Sequence, residues 1–229
     1  MYIKPISESL LKTEFSRFSE FVLQNQNKLT PRVFSEEFIN LQRGSGDFMD
    51  TFCREAEVLA GRLVESENKD FAGIVMSGLC KAAEFIPSKL EKYAQQGYEL
   101  AKSNGDYVHM MARLNDLRKV YMNRPDKLYN YIQVLYKQEN CLKELTNHYE
   151  KATGAYKSVI RKPASREDYK QMLAYVQTEI GKLTRKKHPN AAMKKLLSAK
   201  ATFEQSGNQR SIDYIDMLLS EIQEMLSRK

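Results

Sequence analysis

The chain has 229 residues, a formal net charge of +7, and 42% hydrophobic residues. This length suffices for one large domain or two small ones, each able to bury a core without a metal or a disulfide. The three cysteines are odd in number and far apart in the sequence, which disfavours a disulfide framework.

Hydrophobic residues recur at helical spacing almost throughout the chain. Leu11, Phe15, Phe18 and Val22, for example, follow the i, i+3, i+4, i+7 pattern of a helix face. No segment alternates with period two for long enough to indicate a strand. The pattern predicts an all-α protein with about ten helices, near residues 6–25, 32–42, 46–65, 69–86, 88–104, 106–122, 126–151, 165–186, 190–205 and 209–227. Short connections predict that successive helices run antiparallel.

Hydroxyl, carboxylate and glycine residues mark the expected helix ends. Ser88 with Glu91, and Ser165 with Asp168, can satisfy the free amides of a first turn. Glycines are expected to close helices in the left-handed conformation; they include Gly105, Gly154 and Gly207.

The segment 90–126 predicts a closely packed pair of helices. Ala94, Gly97 and Ala101 place small side chains on the inner face of the first helix, where a second helix can approach closely. An Asn-Gly-Asp turn joins the two helices, and Pro125 ends the unit. The apolar stripe of the second helix consists of Tyr107, Met111, Leu114, Leu117 and Tyr121.

This segment resembles a tetratricopeptide-type helical hairpin, a repeat with small residues at facing positions and a closing proline. Leu100 and Ala101 stand where the family has Leu-Gly, and Ala112 lies near its small second-helix position. The aromatic opening residue of the family is missing, and the spacing differs by one. The resemblance implies a stack of helix pairs with a concave face for a peptide or protein; a plain multi-helix bundle is the alternative.

The predicted helix at 126–151 is too long for such a repeat. Its leucines at 128, 135 and 142 are seven residues apart, which suits a long packed helix or a dimer seam. We favour burial within the helix's own domain, because the heptads are few and Gln138 interrupts them.

The domain prediction is a single all-helical domain over 1–229. If the chain instead forms two lobes, they comprise residues 1–150 and 165–229, joined by a basic connector at 151–164. This connector region is the least regular part of the pattern and contains a glycine and a proline.

Positive charge is concentrated late in the chain. Residues 151–200 carry thirteen lysines and arginines against three acidic residues, a net charge of +10, while the remainder sums to −3. Such asymmetry predicts a polyanion or an acidic protein surface as the partner. The candidate contact residues lie on two successive helices and their connecting turn: Lys170, Tyr175, Lys182, Arg185, Lys186, Lys187, Lys194 and Lys195. The alternative is that these cations only keep a helical surface solvated.

Catalytic patterns are not apparent in the sequence. His109, His148 and His188 are mutually remote, and no pair of Cys or His residues has zinc-type spacing. Cys80, flanked by Leu79, is predicted to be inert core packing. We therefore predict no enzymatic activity, no metal, no cofactor and no small-molecule substrate.

Three functions remain as hypotheses. The leading one is a non-enzymatic interaction or adaptor protein that binds another protein through a helix-lined face. The alternative is an RNA- or DNA-associated factor that grips phosphates without sequence specificity through residues 161–200. Attachment to an anionic membrane surface ranks below both. The first ten residues lack the apolar segment of a signal peptide, and the longest uncharged run, FAGIVMSGLC, is about half a membrane span, so we expect a cytoplasmic protein or one whose targeting segment was removed.

Overall fold

The structure, a computed structural model, describes residues 7–26, 28–150 and 164–228. Over these ranges the chain forms ten α-helices and no β-strand, which confirms the predicted all-α class. The helices are α1 (Glu8–Gln24), α2 (Pro31–Gly44), α3 (Met49–Glu65), α4 (Lys69–Ala82), α5 (Pro87–Ser103), α6 (Tyr107–Tyr121), α7 (Leu128–Asn147), α8 (Arg166–Thr184), α9 (Pro189–Ser206) and α10 (Gln209–Ser227). Short 3-10 helices at Gly46–Phe48 and Pro125–Lys127 precede α3 and α7.

Several predicted helix ends are confirmed. The Asp168 amide donates a hydrogen bond to Ser165 Oγ (3.1 Å), and the Ser165 amide donates one to the Asp168 carboxylate (2.7 Å), so α8 begins with a capping box. Gly105 and Gly207 have φ values of 65° and 69°, the left-handed conformation expected after a helix. The third predicted stop, Gly154, lies outside the described residues.

The predicted cap of α5 at Ser88 is wrong. The helix begins at Pro87, and its N-cap residue is Ile86, which makes no side-chain cap hydrogen bond. Proline suits the first helical position because it has no amide hydrogen to satisfy there. Helix α4 ends at Ala82, earlier than predicted, and the chain turns through residues 83–86. The last of these, Ile86, precedes the proline and avoids the helical conformation.

The chain divides into two compact units, Met1–Val120 and Tyr121–Lys229. The predicted connector lies outside the described residues except for position 164, and the prediction of a single domain stays a prediction. The helix before this segment, α7, packs against α8, the helix after it. Along α7, Leu135 and Leu142 are fully buried, which confirms the expected burial of this helix, whereas Leu128 at its start is 48% exposed.

Phenylalanine rings from four helices form the centre of the first unit. In this unit α1 packs against α2 and α3, α4 packs against α2 and α3, and α5 packs against α4. Ring centroids of neighbouring phenylalanines lie 4.6–6.4 Å apart, the range of favourable aromatic pairs. The rings belong to Phe15, Phe18, Phe34, Phe38, Phe52 and Phe71.

Two glycines allow close packing in the first unit. A Cβ atom added at Gly78 of α4 would lie 2.3 Å from the Phe38 ring, which is 1% exposed. A Cβ atom added at Gly97 of α5 would lie 2.9 Å from Cδ of Arg113 on α6. The second contact places the aliphatic stem of Arg113 against Gly97, one of the small residues predicted for the inner face of α5.

The second unit is built from α7 to α10, with α8 against α7 and α9, and α9 against α10. The inner face of α9 consists of apolar residues that are fully buried: Ala192, Leu196, Ala199 and Phe203. They pack with residues of α10 that include Ile215 and Ile222. Helices α8 and α9 approach closely at Gly181, where an added Cβ would lie 2.7 Å from Leu196 Cγ and 3.3 Å from the Ala192 carbonyl oxygen.

Candidate functional site

All eight predicted contact residues lie in the second unit, on α8, on α9 or in the turn between them. The turn covers residues 185–188, because α8 ends at Thr184 and Pro189 occupies the first position of α9. The amides of Lys187 and His188 donate to the Thr184 carbonyl at 3.1 and 2.8 Å. These bonds close the end of α8 and direct the following side chains outward.

Three of the eight predicted residues are neutralised by carboxylates of the same unit. Lys170 pairs with Glu167 one turn earlier, at 2.6 Å. The Arg185 Nε donates to Glu221 of α10 at 3.0 Å. The third, Lys195, donates to Glu139 of α7, so these three cations have little charge left for an external partner. The carboxylate that binds Lys195 is itself buried, with Glu139 only 1% exposed.

Four predicted cations remain without an acidic partner. Over the described ranges, no carboxylate oxygen lies within 4 Å of Lys182, Lys186, Lys187 or Lys194. Lys186, Lys187 and Lys194 are exposed, and Lys182 is half-buried. Together with His188, which is also exposed, these residues are called the α8–α9 corner below.

The start of α9 adds to the positive potential of this corner. Its N-cap residue is His188, whose side chain makes no cap hydrogen bond, and Pro189 follows at the first helical position. The N-terminal end of a helix carries a partial positive charge from its aligned peptide dipoles. The dipole and the corner lysines therefore favour the same ligand, an anion.

Tyr175 is not part of the corner. Its ring packs edge-on against Phe203 of α9, with centroids 4.9 Å apart, and Asn208 donates to its hydroxyl at 3.1 Å. The ten residues from Tyr175 to Arg185 correspond to about 15 Å along a helix. The structure thus places this aromatic ring at the middle of α8, beside the last turn of α9 and away from the corner, although half of its surface is exposed.

The lysines of α9 point in different directions. Lys195 reaches α7 through Glu139, and Lys200 reaches α10 through Asp216 at 2.6 Å. Lys194 is exposed to solvent. Two of these three lysines hold α9 between its neighbours, and only Lys194 contributes to the corner.

A second polar cluster lies in the first unit, and the sequence reasoning missed it. Residues at positions 106, 109, 113 and 116 form a polar stripe along α6, beside the apolar stripe predicted for that helix. Arg113 Nη1 donates to the Met76 carbonyl of α4 at 3.3 Å, and its Nη2 lies 3.3 Å from Asp116 Oδ2. His109 Nδ1 lies 2.5 Å from Asp106 Oδ2. The spacing i, i+3, i+7, i+10 of these four residues is the signal that could have revealed the cluster.

The thiol beside this cluster has the properties of a core residue. Cys80 is 3% exposed, and burial raises its pKa to about 11, so the thiol is protonated at neutral pH. Burial also raises the pKa of Asp116, against the opposing effect of the Arg113 and Lys119 charges. A protonated, enclosed sulfur is a poor nucleophile, which agrees with the prediction that Cys80 is core packing.

Within the described ranges, no group of three or more His, Cys, Asp or Glu side chains is arranged to hold a metal ion. In the same part of the chain, no helix has the length and apolar character needed to cross a bilayer. The comparisons with known proteins add no family to these observations: no protein-family model, curated protein or solved structure matches the chain.

Proposed function

We propose that this chain is a non-enzymatic interaction protein that binds an acidic segment of another protein at the α8–α9 corner. The observation that carries the proposal is the set of four lysines at this corner that have no carboxylate partner in the described part of the chain. The unit supplies its own acids to two neighbouring cations, Arg185 in the same turn and Lys195 on α9.

The size of the corner favours an acidic protein segment over a nucleic acid. Proteins that grip nucleic acid through the backbone typically contact about 6–10 phosphates, whereas the corner offers four unpaired lysines. Single-stranded nucleic acid is also commonly held by stacking on aromatic rings. Tyr175, the aromatic residue predicted for that role, packs against Phe203 away from the corner. Binding of RNA or DNA therefore becomes an outcome that the experiment must distinguish.

The corner would steer and orient the partner more than it would supply affinity. An exposed ion pair contributes about 0.2–1 kcal/mol, so four of them contribute roughly 1–4 kcal/mol. A micromolar complex requires about 8 kcal/mol. The remaining free energy would come from apolar contacts on a helix-lined face, and the electrostatic part would show as a salt-dependent association rate.

The tetratricopeptide-like stack is part of this proposal. It is supported by the contact of Gly97 with Arg113 between α5 and α6. It is also supported by contacts between alternate helices of the first unit, α1 with α3 and α2 with α4, as expected when helix pairs stack. A cytoplasmic location is likewise proposed, supported by three cysteines that are all buried free thiols.

The test is a double charge reversal, Lys186→Glu with Lys187→Glu. The matched control is Arg43→Glu with Arg62→Glu, which reverses two exposed cations of the first unit that also have no carboxylate within 4 Å in the described residues. Binding is measured to a fluorescent peptide of alternating Glu and Ala, and to a mixed-sequence RNA, at about 50 and 200 mM salt.

We expect the corner variant to weaken peptide binding at least tenfold, equivalent to about 1.4 kcal/mol, while the control retains it. Wild-type binding of the peptide should also fall as salt rises. Equal binding by the corner variant and the control would refute the corner as the contact surface. Tighter binding of RNA than of peptide, lost in the corner variant, would replace the proposal by the nucleic-acid alternative.

A further inference from the structure

The α4–α5 turn, residues 83–87, presents apolar side chains to solvent. Phe85 is 91% exposed, the largest fraction of any large hydrophobic residue in the described part of the chain, and Ile86 is 42% exposed. Pro87, which follows them, is also exposed. A single exposed apolar residue is ordinary, but three in a row at a turn indicate a contact site. Because the sequence predicts a helix over 69–86, it does not indicate this turn.

Backbone hydrogen bonds hold the turn in one conformation. The Ile86 amide donates to the Ala83 carbonyl at 2.8 Å, and the Leu90 amide donates to the Ile86 carbonyl at 2.9 Å. Ala83 is 1% exposed and Leu90 is 3% exposed, so the turn is anchored in the core on both sides. The Phe85 ring is therefore presented to solvent by an ordered backbone, and docking restricts little more than side chains.

The charged residues beside the turn leave one positive charge in excess. Lys81 and Lys119 both pair with a single carboxylate, that of Glu84, with the Lys119 Nζ at 3.7 Å. Asp116 lies 4.0 Å from Lys119 but is also paired with Arg113, at 3.3 Å. The two lysine side chains are 70% and 60% exposed, against 31% for Glu84, so the cationic groups dominate the surface around the turn.

This combination matches a lipid surface better than a protein pocket. Lysine is depleted where two proteins pack against each other, whereas an anionic leaflet attracts lysine. Long lysine stems can also lie along apolar surface while their ammonium groups stay among polar groups. We infer that the α4–α5 turn docks on an anionic lipid surface, where Phe85 and Ile86 enter the boundary between headgroups and acyl chains. Lys81 and Lys119 then lie among the anionic headgroups.

The expected affinity is that of a weak, reversible contact. Full burial of a phenylalanine favours the apolar phase by roughly 10- to 100-fold. Ile86 is partly covered already and adds less, and one excess lysine near an anionic leaflet adds roughly fivefold. Together these contributions predict a dissociation constant on the order of 1 mM in accessible lipid. A single myristoyl chain binds more tightly, at about 0.1 mM.

A tryptophan reporter tests insertion directly, because the chain has no tryptophan of its own. Phe85→Trp places the reporter at the turn, and Phe21→Trp on α1, where Phe21 is 51% exposed, is the matched control. Vesicles of phosphatidylcholine with phosphatidylserine are compared with vesicles of phosphatidylcholine alone at constant ionic strength. We expect the emission of Phe85→Trp to move saturably to shorter wavelength, with at least threefold weaker binding to phosphatidylcholine alone. The emission of Phe21→Trp should not move.

Two further variants show which surface holds the vesicle. In vesicle sedimentation, Phe85→Ser should bind at least tenfold more weakly than wild type, and Phe21→Ser should bind equally. Adding Lys186→Glu and Lys187→Glu to the Phe85→Trp reporter should leave its wavelength change in place, since the α8–α9 corner is a separate surface.

Four results would overturn the inference. They are an unchanged emission of Phe85→Trp with every vesicle, an equal wavelength change in both reporters, equal sedimentation of Phe85→Ser and wild type, and loss of the wavelength change when the corner lysines are reversed. The first would leave the turn as a candidate contact for an apolar pocket of a protein. The last would assign vesicle binding to the corner instead.

Discussion

Replacing Gly78 by alanine tests the aromatic core of the first unit most directly. Alanine is favoured over glycine inside a helix by about 1 kcal/mol, so this change alone would stabilise α4. The new methyl group would, however, lie 2.3 Å from a ring carbon of Phe38, far inside van der Waals contact. Phe38 is 1% exposed and surrounded by other phenylalanines, so its ring has no free space to move into.

The two effects oppose each other, and their magnitudes decide the result. Overpacking a core typically costs about 1–3 kcal/mol, and the rigid ring places Gly78→Ala at the upper end. After subtraction of the gain in helix propensity, we expect a net loss of about 2 kcal/mol in the free energy of unfolding. The matched control is Gly73→Ala on the same helix, where an added Cβ meets nothing within 4 Å. This control should be stabilised by up to about 1 kcal/mol.

Urea unfolding followed by helical circular dichroism measures both variants; the chain has no tryptophan to serve as a fluorescence signal. If the steric account is correct, Phe38→Leu should reduce the cost of Gly78→Ala in a double-mutant cycle. Equal stability of Gly78→Ala and Gly73→Ala would contradict a steric clash with Phe38.

Two further predictions concern the second unit. Burial opposes ionisation of Glu139, but hydrogen bonds from Lys195 and Lys143 outweigh it and lower the pKa of this carboxyl. The ionised carboxylate therefore stabilises the fold above its unfolded pKa, and this stabilisation is lost as the pH falls through the lowered folded pKa. Glu139→Gln should cost about 1–3 kcal/mol at neutral pH and progressively less in urea unfolding at acidic pH. Separately, Ser165→Ala removes the capping box with Asp168 and should cost about 1 kcal/mol in the same assay.

Each of these predictions has a result that would contradict it. A constant difference between wild type and Glu139→Gln from neutral to acidic pH would show that the carboxylate charge is not the stabilising feature. For the helix cap, the control is Ser198→Ala, an exposed position within α9. Equal stability of the Ser165 and Ser198 variants would show that the capping box contributes nothing measurable.

The helices could be predicted because the spacing of apolar residues within a helix depends only on residues that are close together in the sequence. The inner face of α9 is an example, since its buried residues follow from helical periodicity alone. The candidate site was harder to predict, because charge pairing depends on the tertiary fold. Arg185 and Glu221 are 36 residues apart, and Lys195 and Glu139 are 56 residues apart. No count of nearby charges could show that these two cations are neutralised while Lys186 and Lys187 are not.

The α6 polar stripe illustrates a second limit. The sequence predicts one apolar stripe along α6 and gives no sign that a charged residue of the same helix is buried. Arg113 is buried because Gly97 leaves room for its aliphatic stem against α5, and the Met76 carbonyl accepts from its guanidinium. The burial of Arg113 therefore depends on contacts among three helices, which the residue pattern of a single helix cannot predict.

The contact at Gly181 has a consequence for recognition. Because position 181 has no side chain, Leu196 of α9 packs directly against the backbone of α8 just before the turn. The peptide backbone that carries Lys186 and Lys187 is therefore ordered before any encounter, and association would restrict mainly the lysine side chains. Because immobilising a long side chain costs only about 0.5–1.5 kcal/mol, even a weakly attractive acidic sequence could dock and leave rapidly, as transient assemblies require.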